Sequence, residues 1–164
     1  MKTIGEMERR AASKKAAKYF GNGFHCAEAV ATAVLEAIGQ NPAEAAAHAT
    51  AFGGGFGRTF EEACGALSGA LIAIGHVCGR RKSGGEWDLP ARLGAEIRQC
   101  FVDEFETTKC ALLRRRFGEK QQMTECRKLT ESVTAMLLGL LAKELGKDNA
   151  NIVRRIDNPH ADQS

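Results

Sequence analysis

The sequence predicts an all-α protein, a single-domain bundle of about six helices over residues 1–156 with a disordered C-terminal tail over 157–164. Three observations carry this. Aromatic residues make up only 6% of the 164-residue chain while Ala and Gly are abundant, a composition that suits close-packed helices better than a β-sandwich. Apolar residues recur at helical spacing through segments of helix length. Glycine clusters such as "GNG" and "FGGGFG" fall between these segments and punctuate them. The length matches one compact domain able to bury most of its apolar surface.

The elements follow in order. Residues 5 to 20 place Met7, Ala11, Ala12, Ala16, Tyr19 and Phe20 at helical spacing, and "GNG" at 21–23 closes the helix. A second helix starts near His25 or Cys26 and runs through "AEAVATAVLEAIG" to Gly39. Asn41-Pro42 starts a short third helix that reaches about Ala51. After the break at "FGGGFG", a helix is expected from about Glu61 to Val77, and "CGRRKSGGEWDLP" is a loop. Pro90 is tolerated in a first turn, and the next helix carries Leu93, Ile97, Cys100, Phe101 and Phe105 on one stripe. Thr107 and Thr108 can cap a short helix, "KCALLRRRF", that Gly118 stops. Thr124 can cap the last long helix, with Leu129, Val133, Met136, Leu137, Leu140, Leu141 and Leu145 facing the core.

Composition excludes several classes of function. A net charge of +3 does not by itself imply a nucleic-acid partner. The basic runs Arg80–Lys82 and Arg114–Arg116 have no interleaved aromatics to stack on bases, so they read as solvated helix faces or ends. The N-terminal segment has charges throughout and no apolar core of a signal peptide, and the longest apolar run, Ala66 to Ile74, is well short of a bilayer span. No membrane association and a cytoplasmic location are expected. No Ser-His-Asp arrangement or catalytic carboxylate pair stands out, so no catalytic residue is assigned.

In a cytoplasmic protein six cysteines point to metal binding, redox chemistry or plain burial rather than to structural disulfides. None forms a Cys-x-x-Cys, so any site must be assembled by the fold. Cys26, Cys64, Cys110 and Cys126 each fall in the first turn or so of an expected helix, whereas Cys78 and Cys100 do not. A helix N-terminus offers unpaired N–H groups and partial positive charge, which favour thiolate over thiol. Four such ends together would make a pocket for an anionic thiolate cluster, the alternative being that each cysteine is a small buried hydrophobe. His25 is read as a cap or surface residue, although it could tune Cys26.

Gly65 and Gly69 lie one turn apart on one helix face, where another backbone can approach closely. "FGGGFGR" could offer N–H groups to an anion beside Arg58, but it matches neither nucleotide-binding spacing, and a tight turn that delivers Cys64 is the favoured reading.

The stretches "GNGFHCAEAV", "FGGGFGRTFEEACGALSGALIAIG", "FVDEFETTKCALL" and "TECRKL" resemble the C_GCAxxG_C_C family, described as redox-active and similar to a domain of split-Soret cytochromes. The family's four motif cysteines carry over onto Cys26, Cys64, Cys110 and Cys126. The resemblance implies a helical domain, often a homodimer, with a cysteine-bound iron-sulfur centre or a redox-active thiol set. Ala63 departs from the family's usual glycine, and the absence of Cys-x-x-Cys-His removes the covalent haem of the cytochrome relatives. The expectation is electron transfer to a redox partner protein through a cluster of the two-iron type, ligated by these four cysteines. Thiol-disulfide exchange without metal, a structural zinc site on the same residues, and an interaction module with inert cysteines remain open.

Overall fold

The computed structural model describes residues 4–147. Among these, the expected all-α fold is found, with no strand and seven helices: α1 (Glu6–Tyr19), α2 (Cys26–Ala37), α3 (Ala43–Ala49), α4 (Gly65–Cys78), α5 (Asp88–Phe105), α6 (Cys110–Phe117) and α7 (Gln122–Lys147). The count is seven against the expected about six, and it includes both short helices read from the sequence, α3 and α6. A 3-10 turn over Thr50–Phe52 continues α3. Residues 148–156 of the expected domain and the tail over 157–164 lie outside the described residues.

Local chemistry sets the boundaries. The carboxylate of Glu8 accepts a hydrogen bond from the Gly5 N–H at 2.9 Å and starts α1; Glu28 does the same for the His25 N–H at 2.9 Å and starts α2. Asn41 Oδ1 accepts from the Ala43 N–H at 3.0 Å ahead of α3. α5 begins two residues before Pro90 because Glu86 supplies an acceptor to the Asp88 and Leu89 N–H groups. α4 begins at Gly65 rather than Glu61, since the preceding residues are held in an extended bridge. Gly21 and Gly23, at φ +78° and +98°, turn the chain between α1 and α2.

α2 runs through the centre of the molecule and packs on α1, α3, α4 and α7. Its residues from Ala27 to Leu35 are all buried, which accounts for its near-continuous apolar sequence. Leu35 and Ile38 at its C-terminal end, Leu93, Ile97 and Phe101 on α5, and Leu137 and Leu138 on α7 are fully buried. Each such side chain is worth about 1.5–3 kcal/mol relative to exposure. On α1 the buried face is Ala12, Ser13, Ala16 and Ala17, continued by Phe20, while Met7 is 86% exposed; it sits five residues before Ala12 and therefore on another face. On α7, Leu129, Val133, Leu137 and Leu141 are buried as expected, joined by Leu138, with Met136 and Leu140 partly buried. The Leu145 side chain lies outside the described residues.

The contact that most constrains the site is the crossing of α2 on α4. A Cβ at Gly69 would overlap the Ala27 carbonyl, and one at Gly65 would lie 2.5 Å from the Cys26 sulfur and 2.9 Å from the Phe52 carbonyl oxygen. These glycines bring the first turn of α2 onto the first turn and a half of α4. Glu28 secures the same end of α2 by accepting a hydrogen bond from the Thr50 hydroxyl at 3.0 Å. Alanine is intrinsically the better helix residue, yet Gly69→Ala is expected to destabilise the fold by about 1–3 kcal/mol through overpacking. Gly75→Ala, on the same helix with open space around it, is expected to raise stability by up to about 1 kcal/mol. Denaturant melts followed by circular dichroism distinguish the two; equal effects would remove the role assigned to the crossing.

Candidate functional site

Cys26 is the first residue of α2, Cys64 the N-cap of α4 and Cys110 the first residue of α6. Cys126 departs from the expected pattern. Because α7 starts at Gln122, Cys126 is its fifth residue and sits in the second turn. All four are free thiols; Cys64 and Cys110 are buried, Cys26 and Cys126 half-buried.

Two short devices hold these positions together. Ala63 and Lys109 form an isolated antiparallel bridge, in which the Cys64 N–H donates to the Thr108 carbonyl at 2.7 Å and the Cys110 N–H donates to the Glu62 carbonyl at 2.8 Å. This pair of bonds fastens the start of α4 to the start of α6. Ala63 has no left-handed φ, so its Cβ imposes no backbone strain.

The second device is the loop of residues 53–60. Gly54, Gly55, Phe56, Gly57 and Arg58 follow one another at φ +60° to +65°, and Phe60 lies at +62°. An L-residue in this region costs about 1–2 kcal/mol, so three non-glycine residues held there require support from their surroundings. The Phe60 N–H donates to the Gly54 carbonyl at 2.9 Å and the Arg58 N–H to the Gly53 carbonyl at 3.2 Å. A Cβ at Gly55 would lie 2.8 Å from the Cys110 Cβ, so the left-handed backbone passes directly against that cysteine. The loop is thus the tight turn expected ahead of Cys64, and it also walls the cysteines. Arg58 turns outward, its Nη2 3.4 Å from His25 Nε2. His25 occupies the N-cap of α2, in line with its capping reading.

The four sulfurs are electrostatic neighbours. Cys26, Cys110 and Cys126 each raise the pKa of Cys64; Cys26 raises that of Cys110; Cys26 and Cys110 raise that of Cys126. Every one of the possible pairs is therefore coupled. Burial is the largest cause of the upward shift at all four, and it pushes Cys126 up to about 11 and Cys64 well above the ordinary thiol value. Backbone N–H groups of Gly54, Ala27, Ala66 and Cys26 itself act in the opposite direction on the Cys26 sulfur, and that of Ala66 on Cys64. The expectation that helix-end amides favour thiolate holds for those facing Cys26 and Cys64, and burial overrides it. The amides are present, but desolvation and mutual repulsion outweigh them, and the protein on its own holds neutral thiols at pH 7. Among the described residues no group of three or more His, Cys, Asp or Glu side chains is placed so that it could hold a metal ion.

Cys78 and Cys100 stay apart, as their sequence positions indicate. Cys78 ends α4, about 20 Å along the axis from Cys64, and its thiol donates to the Ile74 carbonyl at 3.3 Å. Cys100 is half-buried on α5. Sequence reasoning missed Arg114, placed with its neighbours on a solvated face. Arg115 is exposed, and Arg116 is exposed and caps α5 through the Phe105 carbonyl at 2.9 Å, but Arg114 packs its guanidinium over Phe60 and favours the ionised forms of Cys110 and Cys126. Its spacing of four from Cys110, one helical turn, was the available signal.

The raised thiol pKa values fix a pH dependence. In the unfolded chain these thiols ionise near pH 9, while in the folded protein they hold their protons to higher pH, Cys126 to about 11. Between these values the folded state binds more protons, so stability is fully present below about pH 9 and falls as pH rises through the folded pKa values. Thermal melts of the metal-free protein from pH 7 to pH 11 should show this decline, and a variant with all four cysteines replaced by serine should show less of it; an identical decline in both would contradict the assignment.

Residues 24–140, most of the chain, match a known protein family described as "putative redox-active protein (C_GCAxxG_C_C)". No curated protein and no solved structure shows significant similarity to the chain. The matched span includes all four coupled cysteines, the left-handed loop and the α2–α4 crossing, and the chain belongs to the C_GCAxxG_C_C family.

Proposed function

We propose that Cys26, Cys64, Cys110 and Cys126 ligate an iron-sulfur cluster, of the two-iron type, and that the protein carries electrons to a protein partner in the cytoplasm. The observation that carries this reading is the gathering of four thiols, two buried and two half-buried, from the starts of α2, α4 and α6 and the second turn of α7. Burial of four ionisable sulfurs in one place is unfavourable for thiolates unless a strong positive charge joins them. Metal ions supply that charge and deprotonate coordinating thiols outright. The donor set fits, since soft thiolates select iron-sulfur clusters or zinc over hard cations. Two glycines let the backbone pass close against the cysteines: a side chain at Gly65 would overlap the Cys26 sulfur and one at Gly55 the Cys110 Cβ.

When bound, such a cluster supplies one-electron transfer. The chain's own part is to hold and screen it. Gly54, Ala27 and Ala66 turn backbone N–H groups toward the sulfurs of Cys26 and Cys64, the kind of hydrogen bonding that adjusts a cluster's potential. The loop of residues 53–60 covers Cys110, and the Ala63–Lys109 bridge fixes the separation of Cys64 from Cys110. Metal-free thiol-disulfide exchange is less well supported, because attack needs thiolate and burial opposes its formation at all four positions.

Anaerobic purification followed by iron and acid-labile sulfide analysis should give about two of each per chain, with visible colour. Cys64→Ser should abolish both, and Cys78→Ser and Cys100→Ser should leave them unchanged. A colourless, metal-free protein with all four thiols freely alkylated would overturn the reading; zinc in place of iron would keep the ligand set and remove electron transfer.

A further inference from the structure

Arg114 is built into the wall of the cysteine site in a way its own helix does not require. It lies one turn after Cys110 on α6, and its guanidinium carbon is 3.6 Å from the centroid of the Phe60 ring. Its Nε is buried without a hydrogen-bond partner, and among the described residues Arg114 forms no ion pair. Arg116, at the end of the same helix, has both the Phe105 carbonyl and the Glu106 carboxylate, at 2.9 and 2.7 Å. An arginine partly buried with no anion beside it is unfavourable, and the stacking face that holds it, Phe60, is itself kept in a left-handed conformation at φ +62°.

We propose that Arg114 is a positioning residue that serves as the counter-charge of the sulfur cluster, clamped on Phe60 so that its guanidinium faces the negative charge gathered on Cys110 and Cys126 when the centre forms. The inference rests on the metal-centre reading of the four cysteines. Arg114 follows Cys110 by one helical turn, and the Phe60 ring beneath it belongs to the loop whose Gly55 packs against both Phe60 and the Cys110 Cβ, which places its charge on the cysteine side of α6. A fixed cation there acts in two ways. It favours assembly, because neutral thiols exchange their protons for a metal and leave an anionic centre. It also favours reduction, because each electron taken from an external reductant makes that centre more negative. An Arg suits the position because it keeps its charge when desolvated and stacks flat on an aromatic ring.

The full-length protein and its Arg114→Gln and Arg114→Lys variants test this in two measurements. Anaerobic titration with Co²⁺, followed by thiolate-to-metal absorption, should show affinity about tenfold weaker in R114Q and within about threefold of the parent in R114K, the change expected for loss of one partly buried charge. Spectroelectrochemical titration after reconstitution with iron and sulfide should show a lower potential in R114Q, by about 59 mV for a tenfold change in a one-electron equilibrium, with most of it restored in R114K. Equal affinity and potential in R114Q and the parent would overturn the role of Arg114 while leaving the metal centre standing. A parent protein that takes up neither cobalt nor iron would overturn both. Circular dichroism checks the fold of each variant; if R114Q fails to fold, Arg114→Met, which keeps the aliphatic stem against Phe60, replaces it with the same two criteria.

Discussion

The cysteine site depends on the backbone of α2 lying directly on α4. Gly65 and Gly69 have no side chain where Cys26 and Ala27 arrive, and the Cys26 sulfur occupies the space a Gly65 Cβ would fill. Helix pairs with ordinary side chains at the contact keep their axes about 8–10 Å apart. At that distance Cys26 would stand away from Cys64 rather than beside it. The two glycines cost about 1 kcal/mol each in helix propensity, and the apolar burial of α2 and α4 in the core offsets this. The packing of the bundle and the assembly of the site are therefore one constraint.

A second balance, electrostatic, sets what the assembled cysteines can do. Helix N-termini, the amides of Gly54 and Ala66 and the guanidinium of Arg114 all favour negative charge on sulfur. Burial and the repulsion of four like groups oppose it and prevail. A site in this condition is quiet as a set of thiols and responsive to a bound cation. The loop of residues 53–60 contributes to both sides. Its left-handed glycines let the chain pass against Cys110 and exclude water, while Phe60, in the same run, supplies the face on which Arg114 rests.

Much of this was legible in the sequence, for reasons that vary with the element. Helical periodicity and glycine punctuation located all seven helices, since an amphipathic stripe of helix length is a strong signal. The grouping of Cys26, Cys64 and Cys110 at helix starts was readable because an N-cap position follows from local sequence. The i, i+4 pair Gly65 and Gly69 announced a close approach, though not which helix would make it. Cys126 was placed a turn too early because "GEKQQMTEC" offers Thr124 as a cap, whereas the chain re-enters helix at Gln122 after Gly118. The Ala63–Lys109 bridge joins residues 46 positions apart and has no local signature. The helix-end amides that favour thiolate are a local property and show in the sequence, whereas the desolvation that outweighs them is a tertiary one. Arg114 was hidden in a run of three arginines, of which only the spacing from Cys110 distinguishes the inward one.

The central claim is that the four cysteines form one ligand set. X-ray absorption at the metal edge of the loaded protein measures this directly, because it counts the sulfur atoms around the metal and their distance without regard to colour or activity. The account predicts four sulfur ligands per metal, about 2.3 Å away for a zinc-loaded sample, with one sulfur lost on Cys126→Ser. A first shell of nitrogen and oxygen, or a sulfur count that Cys126→Ser leaves unchanged, would contradict it.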